Sequence, residues 1–322
     1  MKAILCEKYG PPEVLQLKEV EKPVPKEDEL LVKVHAASAN PLDLQMRGGL
    51  ARLWSGLSKP RDPRLGRDIA GQVEAIGSNV TQFQAGGEVF GVCKGGFAEY
   101  AIASEKELAL KPAKSSFEEA ASAPVAAITA LQGLRDRGQI QPRQKVLING
   151  ASGGVGTFAV QIAKSFGAEV TAVCSPRNLD MARSIGADHV IDYTQEDFTR
   201  NEQRYDLIFA VNGYHPISAY RHTLTPQGIY LAAGGSIAQV LQALLLGRLI
   251  SKTGGQKLGF MGIANINQKD LGVVSELLES GKVVPVIDRS YPLSETAEAL
   301  RYLGEGHARG KVVISVDQNN KT

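Results

Sequence analysis

A glycine-rich segment, I-N-G-A-S-G-G-V-G-T-F (148–158), constrains the fold more than any other stretch of this chain. An apolar, strand-like run precedes it, and a helical pattern over 155–166 follows it. Ala151, Gly153 and Gly156 occupy the three small positions of a dinucleotide fingerprint. Small residues there allow a tight turn and a close approach of the backbone to a pyrophosphate, whose charge the first N–H groups of the helix receive. A glycine-rich turn that binds no ligand is the alternative.

The residues about 20 positions beyond Gly156 predict which dinucleotide binds. A carboxylate at this place would hold the ribose hydroxyls of NAD and repel a 2′-phosphate. No Asp or Glu occurs between 170 and 179, and the residues after the strand-like run include Ser175, Arg177 and Asn178. An arginine with several hydrogen-bond donors suits a phosphate, so we predict NADPH. The alternative is a turn at the start of a helix, with Arg177 solvated.

The pattern of strands and helices changes twice along the chain. Short β-branched runs punctuated by Gly and Pro fill the first ~110 residues and predict an antiparallel, partly closed β domain. From residue 123, strand runs alternate with helical periodicity, which predicts a parallel sheet with helices on both faces. The β-branched run K-V-V-I-S-V (311–316) is expected to rejoin the first domain. We therefore predict an α/β protein in which 1–122 and 265–322 form one domain around an inserted domain, 123–264.

Three further kinds of segment carry weaker patterns. The run V-V-P-V-I (283–287) is predicted as a strand. The lipophilic stretch 237–250 contains two glutamines and an arginine, so it is too short and too polar to span a bilayer. It is predicted as an amphipathic helix that packs on the protein, with a subunit or membrane-surface contact as the alternative. Irregular loops over 44–60 and 255–265 are expected to line a substrate pocket.

Composition excludes several classes of protein. With 322 residues, of which 43% are hydrophobic and 22% charged, the chain is long enough for two packed domains. The formal net charge of +2 gives no reason to expect nucleic acid as a partner. Cys6, Cys93 and Cys174 are far apart and form no C-x-x-C pair, so no disulfide framework is expected. The N-terminus has too short an apolar run for a secretory signal, and a cytoplasmic protein without a transmembrane segment is expected.

Four stretches together resemble the medium-chain dehydrogenase/reductase superfamily. They are N-P-L-D-L-Q-M-R-G-G (40–49), L-G-R-D-I-A-G-Q-V-E-A-I-G (65–77), N-G-A-S-G-G-V-G (149–156) and S-I-G-A-D-H-V-I-D-Y (184–193). Within that superfamily the chain is similar to the zinc-free quinone oxidoreductase branch. The resemblance implies a GroES-like β domain formed by both chain ends, and an inserted Rossmann domain with a doubly wound parallel sheet.

The resemblance also bears on metal binding. Zinc-dependent relatives carry a cysteine near residue 40, Gly-His-Glu in place of G-R-D (66–68), and a Cys or Asp near residue 125. This chain has Asn40, Arg67 and A-P-V-A (123–126) at those places, and an arginine cannot serve as a zinc ligand. The structural zinc lobe of such relatives would lie near 95–115, where this chain has no cysteine. We therefore expect no metal.

The branch that the chain resembles implies a reductase. NADPH would give a hydride to a quinone or to the β-carbon of an α,β-unsaturated carbonyl, and the protein would supply orientation and a dry pocket. An NADPH-binding protein without catalysis is the alternative, since some relatives serve as lens, RNA-binding or membrane-associated proteins. A homodimer is also implied.

The fingerprint and the resemblance together assign the cofactor residues. Thr129 is expected beside the nicotinamide, residues 152–155 against the pyrophosphate, and Tyr193 beside the 2′-phosphate. An ordinary turn tyrosine is the alternative for Tyr193. The complete set is Thr129, Ser152, Gly153, Gly154, Val155, Gly156, Ser175, Arg177, Asn178, Tyr193, Asn212, Gly234, Met261 and Asn265.

The catalytic set that the resemblance implies is Asn40, Asp43 and Thr129. Asn40 and Asp43 match the family's N-P-x-D motif at the mouth of the active site. Asn40 is expected to donate to the acceptor carbonyl, and Asp43 to fix the loop. A structural role for both is the alternative. Water is the expected proton source, because no tyrosine follows the motif before Tyr100.

Two basic positions near these motifs need a role. Arg67 is expected to form an ion pair, with Asp68 as a candidate partner, and the alternative is a contact with the oxygen of the acceptor. The run H-A-R-G-K (307–311) is expected to be a solvated turn, with a phosphate contact as the alternative.

Overall fold

The structure, a computed structural model, describes residues 1–45, 56, 58–235, 242 and 255–316. They fall into two compact units. One comprises Met1–Val125, Ile266–Gly281 and Pro285–Thr322, and the other Ala126–Asn265 with Lys282–Val284. The helix predicted over 237–250 lies outside the described residues apart from Gln242, as does most of the predicted pocket loop 44–60.

The elements of the described residues are numbered in chain order. The strands are β1 (Lys2–Leu5), β2 (Gln16–Glu19), β3 (Glu29–Ala39), β4 (Asp68–Ile76), β5 (Glu88–Val92), β6 (Tyr100–Ser104), β7 (Leu108–Leu110), β8 (Lys145–Asn149), β9 (Glu169–Cys174), β10 (His189–Asp192), β11 (Tyr205–Ala210), β12 (Leu224–Ala232), β13 (Lys257–Phe260), β14 (Ile287–Pro292) and β15 (Lys311–Ser315). The α-helices are α1 (Pro41–Gln45), α2 (Phe117–Ser122), α3 (Pro124–Gln132), α4 (Gly154–Ser165), α5 (Leu179–Ser184), α6 (Ile217–Thr223), α7 (Gln268–Glu279) and α8 (Thr296–Gly304). Short 3₁₀ turns and one π-helical turn, Gly133–Arg137, complete them. Among these helices, none has the length and apolar character needed to cross a bilayer.

The first unit is built on a mainly antiparallel sheet with the order β14-β15-β3-β4-β5-β7, to which β6 adds by pairing with β3. The long strand β3 pairs with β4, β6 and β15. Because β15 lies near the end of the chain and β3 near its beginning, both chain ends make this GroES-like domain. Its core contains the fully buried side chains of Leu30, Ile69 and Val312.

The second unit is an α/β layer around a parallel sheet with the order β10-β9-β8-β11-β12-β13. From β8 the chain moves outward to β10, and it then returns to the other side of β8 as β11. This reversal is the switch point of a doubly wound Rossmann sheet, and ligands bind beyond the carboxyl ends of strands at such a point.

The helix α4 shows why this sequence folds locally as predicted. Ala159, Ile162 and Ala163 recur at helical spacing, are fully buried, and lie on the helix that packs on β8 and β9. Gly167 adopts a positive φ of 77° beyond its end, and its N–H donates to the carbonyl of Lys164 at 2.9 Å. Such a glycine satisfies a terminal carbonyl that the helix leaves unpaired.

Two predictions of secondary structure are wrong. Residues 283–287 form no strand before Ile287, where β14 begins. The backbone of Val284 is paired with a side chain instead, because Gln161 Nε2 donates to its carbonyl at 2.9 Å and Gln161 Oε1 accepts from its N–H at 2.8 Å. The segment 255–265, which was predicted to be an irregular loop, contains the short edge strand β13. The glycine inside this strand interrupts the run of apolar and β-branched residues by which a strand is recognised in a sequence.

Candidate functional site

The turn after β8 is shaped by two glycines. Gly150 has a φ of 88°, and a Cβ at this position would lie 2.9 Å from the Cβ of Asn212. A Cβ on Gly156 would lie 2.1 Å from the carbonyl oxygen of Gly150, so only glycine lets α4 approach the turn this closely. Ser152, Gly153, Gly154 and Val155 remain half-buried. The first N–H groups of a helix have no intrahelical acceptor, so this turn is shaped to receive an anion.

The remaining predicted cofactor residues are distributed along the carboxyl edge of the same sheet. Five of them follow the ends of five different parallel strands, so the fold gathers them although they are far apart in the chain. Ser175 follows β9, Tyr193 follows β10, Asn212 follows β11, Gly234 follows β12 and Met261 follows β13.

Thr129 and Asn265 belong to this second unit as well. Thr129 lies half-buried on α3. Asn265 is tied to the same helix, because Gln132 Nε2 donates to its carbonyl at 2.7 Å and its N–H donates to Gln132 Oε1 at 3.0 Å. Met261 is buried, and its N–H donates to the carbonyl of Ala232 at 2.8 Å. The segment after β13 is therefore fixed both to β12 and to α3.

The loop after β9 carries the predicted phosphate residues. Ser175 is half-buried and Arg177 is exposed. Asn178 is buried instead, and its Nδ2 donates to Ser175 Oγ at 2.9 Å. Tyr193 is 49% exposed, and its N–H donates to the carbonyl of Cys174 at 3.3 Å, which holds it beside this loop. The structure therefore brings Ser175, Arg177 and Tyr193 to one edge and places the amide of Asn178 beneath them.

The neighbouring acid and thiol have other partners. Asp192 is paired in register with Cys174, but its Oδ1 accepts from the N–H and Oγ1 of Thr194 at 2.9 and 2.8 Å. Burial raises the pKa of the Cys174 thiol to about 11, so this cysteine stays protonated and packs as an apolar residue.

A second aromatic residue beside Tyr193 was missed in the sequence. Tyr214 is half-exposed, and its ring centroid lies 6.0 Å from that of Tyr193. The His215 ring lies next to the Tyr214 ring, tilted by 40°, with the two ring centroids 4.2 Å apart. Burial raises the pKa of Tyr214 to about 12, so its hydroxyl remains a neutral donor at physiological pH. The available signal was the run N-G-Y-H directly after a strand.

The predicted catalytic residues of the first unit lie in a buried polar cluster, consisting of Ser38, Asn40, Asp43, Asp68 and Lys311. Both carboxylate oxygens of Asp43 accept hydrogen bonds from the backbone. Its Oδ2 accepts from the N–H of Asn40 at 2.8 Å, and its Oδ1 accepts from the N–H of Gly66 at 3.3 Å. Burial raises the pKa of Asp43 to about 6, and the nearby charge of Asp68 acts in the same direction. Asp43 thus fastens the start of α1 to the segment before β4.

The amide of Asn40 is engaged at both ends within this cluster. Its Nδ2 donates to Asp68 Oδ2 at 3.0 Å, and its Oδ1 accepts from Lys311 Nζ at 2.8 Å. Only 5% of the residue is exposed. Asn40 was expected to donate to an acceptor carbonyl, but in this structure its donor already has a carboxylate partner.

The cation beside Asp68 is Lys311, at 3.3 Å, rather than the predicted Arg67. Lys311 was expected in a solvated turn, yet only 3% of it is exposed, and its Nζ also donates to the carbonyl of Ala39 at 3.3 Å. The pairing of β15 with β3 explains the difference, because it sets Val312 opposite Ala39 and so brings Lys311 beside Asn40.

The residues present do not fit a catalytic zinc. Asp68 is the one acidic residue of the G-R-D segment, and its Oδ2 already accepts from Ser38 Oγ at 2.9 Å, besides Asn40 and Lys311. Its Oδ1 accepts from the N–H of Val125 at 3.1 Å. A carboxylate with both oxygens occupied and an ammonium group beside it is a poor metal ligand. Across the residues that the structure describes, no group of three His, Cys, Asp or Glu could hold a metal ion.

Comparison with known proteins agrees with this architecture. Residues 26–113 match the alcohol dehydrogenase GroES-like domain, and residues 185–314 match a family described as zinc-binding dehydrogenase. The mitochondrial NAD(P)H oxidoreductase RTN4IP1 of Mus musculus is 34% identical, over 98% of this chain and 89% of that protein. The 2-methylene-furan-3-one reductase of Solanum lycopersicum is 35% identical, over 98% of this chain and 79% of that protein.

A solved structure of Escherichia coli quinone oxidoreductase complexed with NADPH is also similar. It shares 25% identity and a TM-score of 0.84, over 98% of this chain and 100% of that chain. The protein belongs to the medium-chain dehydrogenase/reductase superfamily, in the branch of the zinc-free quinone oxidoreductases. It is therefore related to oxidoreductases that use a nicotinamide cofactor.

The pairing of Lys311 with Asp68 predicts a specific pattern of stability. Lys311→Met should lower the free energy of unfolding by about 3–5 kcal/mol, because it leaves a buried carboxylate without its cation. Urea denaturation at pH 7 followed by circular dichroism measures this loss. The double variant D68N/K311M removes both charges and should recover most of the loss.

Lys114→Met, at an exposed pair with Glu279, is the control and should change stability by less than about 1 kcal/mol. A double variant as unstable as K311M would contradict the pairing.

The pKa of Asp43 predicts a dependence of stability on pH. Its folded value of about 6 lies above the unfolded value of about 3.9, so the folded state binds this proton more tightly. The resulting stabilisation is complete below about pH 4 and is lost as pH rises to about 6, by about 3 kcal/mol. Asp43→Asn cannot ionise and should lack this loss. Unfolding free energies of both proteins between pH 3.5 and 7 test it, and a constant difference between them would contradict the assignment.

Proposed function

We propose that this protein transfers a hydride from NADPH to a quinone or to an α,β-unsaturated carbonyl, without a metal ion. The observation that carries the proposal is the carboxyl edge of the parallel sheet, where the glycine-rich turn and the loop with Ser175 and Arg177 follow adjacent strands. The turn offers N–H groups to a pyrophosphate. The loop offers a cation and a hydroxyl at the place where an NAD-specific protein offers a carboxylate.

Each group on this edge has a definite part in binding. Ser152, Gly153, Gly154 and Val155 hold the pyrophosphate through backbone N–H groups, while Gly156 keeps α4 close enough for them to reach it. Ser175, Arg177 and Tyr193 bind the 2′-phosphate. Asn212, Gly234, Met261 and Asn265 line the remaining cofactor cleft, and Thr129 lies beside the nicotinamide.

The cofactor supplies the hydride when bound, and the protein supplies position and the exclusion of water. Asn40 and Asp43 act here through the backbone that they fix, because their polar atoms are engaged inside the cluster with Asp68 and Lys311. Within that cluster the ammonium group of Lys311 pairs with the carboxylate of Asp68, which supports a reaction without a Lewis acid. Water provides the proton that the reduced acceptor takes up.

The relatives support the choice of acceptor. One similar protein is named as a quinone oxidoreductase, and another is named as the reductase of a methylene-furanone. Both names describe acceptors in which a carbonyl is conjugated with a carbon–carbon double bond, and such acceptors take a hydride without prior activation by a metal. A homodimer and a cytoplasmic location stay predictions from the sequence.

Turnover tests this function directly. Purified protein should oxidise NADPH in the presence of at least one member of a panel that contains a naphthoquinone, a 2-alkenal and a cyclic enone. Absorbance at the NADPH band reports the rate, and prior dialysis against a chelator should leave it unchanged. Binding of NADPH without turnover of any acceptor would contradict catalysis and favour a non-catalytic nucleotide-binding protein. A rate that needs added zinc would contradict the metal-free reaction.

The preference for NADPH depends on Arg177. Arg177→Ala should weaken NADPH binding about 10- to 100-fold, because a charge-assisted hydrogen bond contributes about 1.5–3 kcal/mol. Binding of NADH should change little, since only NADPH carries the second phosphate. Fluorescence titration of both cofactors measures the two affinities. Arg183→Ala, at an exposed pair with Asp180 on α5, is the control and should leave both unchanged. An equal loss for NADPH and NADH would contradict a phosphate-binding role.

A further inference from the structure

Ser175 and Asn178 occupy two successive helix-capping positions, but neither side chain caps. Ser175 precedes the 3₁₀ turn Pro176–Asn178, and Asn178 precedes α5. Serine and asparagine are among the residue types that most often accept a hydrogen bond from a helix N–H at such positions. Here neither side chain makes a capping bond, and the two bond to one another at 2.9 Å. The loop therefore forgoes two local bonds in favour of one between its own side chains.

The amide of Asn178 is held in this arrangement by burial. The residue is 3% exposed, and its Nδ2 is the atom that donates to Ser175 Oγ. Its Oδ1 is also buried and accepts no hydrogen bond from the residues that the structure describes. An unsatisfied buried oxygen is costly, and local conflicts of this kind tend to occur at functional sites.

This bond fixes what the hydroxyl of Ser175 can do. The hydroxyl oxygen already accepts from Asn178, so its hydrogen points away from the amide and is left to donate. Ser175 is half-buried and Arg177 is exposed, so solvent reaches both residues of this loop. A phosphate dianion is an acceptor only, whereas a ribose hydroxyl both donates and accepts. An oriented donor therefore favours the phosphate.

We propose that Asn178 is a positioning residue that turns Ser175 into a hydrogen-bond donor for the 2′-phosphate of NADPH, an inference that rests on the function proposed above. Asn178 does not touch the phosphate. It acts through Ser175 by occupying the oxygen and directing the hydrogen outward. Arg177 contributes a positive charge in the same loop, whereas Asn178 orients the hydroxyl hydrogen of Ser175.

Calorimetric titration with 2′,5′-ADP and 5′-AMP tests this role without any need for turnover, because the two probes differ only in the 2′-phosphate. Asn178→Ala should weaken 2′,5′-ADP about tenfold and 5′-AMP less than about twofold, because the hydroxyl is no longer oriented. Ser175→Ala should weaken 2′,5′-ADP to a similar extent. The double variant S175A/N178A should be no weaker than S175A alone, since Asn178 has nothing left to orient.

Two further variants keep the test decisive. Asn178→Asp has nearly the same shape but presents only acceptors, so it should draw the Ser175 hydrogen inward and weaken 2′,5′-ADP more than N178A does. Asn267→Ala is the matched control, because that asparagine caps α7 in the other unit by accepting from the N–H of Asp270. It should leave the ratio of the two affinities unchanged.

The outcomes separate this inference from the function on which it rests. Equal weakening of both nucleotides by N178A, additive losses in the double variant, or wild-type affinity for 2′,5′-ADP in N178D would overturn the positioning role. A wild-type protein that binds 5′-AMP as tightly as 2′,5′-ADP would instead overturn the proposed preference for NADPH.

Discussion

The backbone contact between Gly156 and Gly150 is the constraint on which the nucleotide-binding unit depends. Position 156 has no room for a side chain, because a Cβ on Gly156 would lie 2.1 Å from the Gly150 carbonyl oxygen. This contact sets α4 against the end of β8 and leaves the N–H groups of its first turn at the sheet edge. The loops that follow the other parallel strands lie at the same edge of the sheet. They can contribute to nucleotide binding because the turn after β8 is held in place there.

The first unit depends on a different kind of constraint, a buried charge that has to be balanced. Asp68 is completely buried and accepts hydrogen bonds from Ser38, Asn40, Lys311 and the backbone of Val125. The cluster joins the adjacent elements β3 and α1 to β4 and to β15, which lie much further along the chain. A buried ion pair of this sort contributes little net stability compared with apolar residues, but it penalises any arrangement in which one partner is missing. We regard it as a device that specifies the register of β15 against β3.

Much of the fold could be predicted from the sequence, because local patterns dictate it. The strand, turn and helix around residues 145–166 could be predicted because each depends on residues close together in the sequence. The absence of an acid near Ser175 is found by counting about 20 residues onward from Gly156. The partnership of Lys311 with Asp68 could not be predicted, because it depends on which strands pair across 243 positions of the chain. The burial of Asn178 was hidden for a similar reason. A polar residue in a loop gives no local sign of whether its amide faces solvent or a neighbouring hydroxyl.

The pairing of β15 with β3 has a consequence for how the protein is made. Synthesis proceeds from the N-terminus, so Asp68 and β3 leave the ribosome long before Lys311 does. The Rossmann unit is almost continuous, from Ala126 to Asn265, and its strands are all available earlier. Because domains generally fold as units during synthesis, the inserted unit can fold first. The first unit is completed only when β15 has been made. Until then, the part of β3 that pairs with β15 is unpaired and the carboxylate of Asp68 lacks its counter-ion.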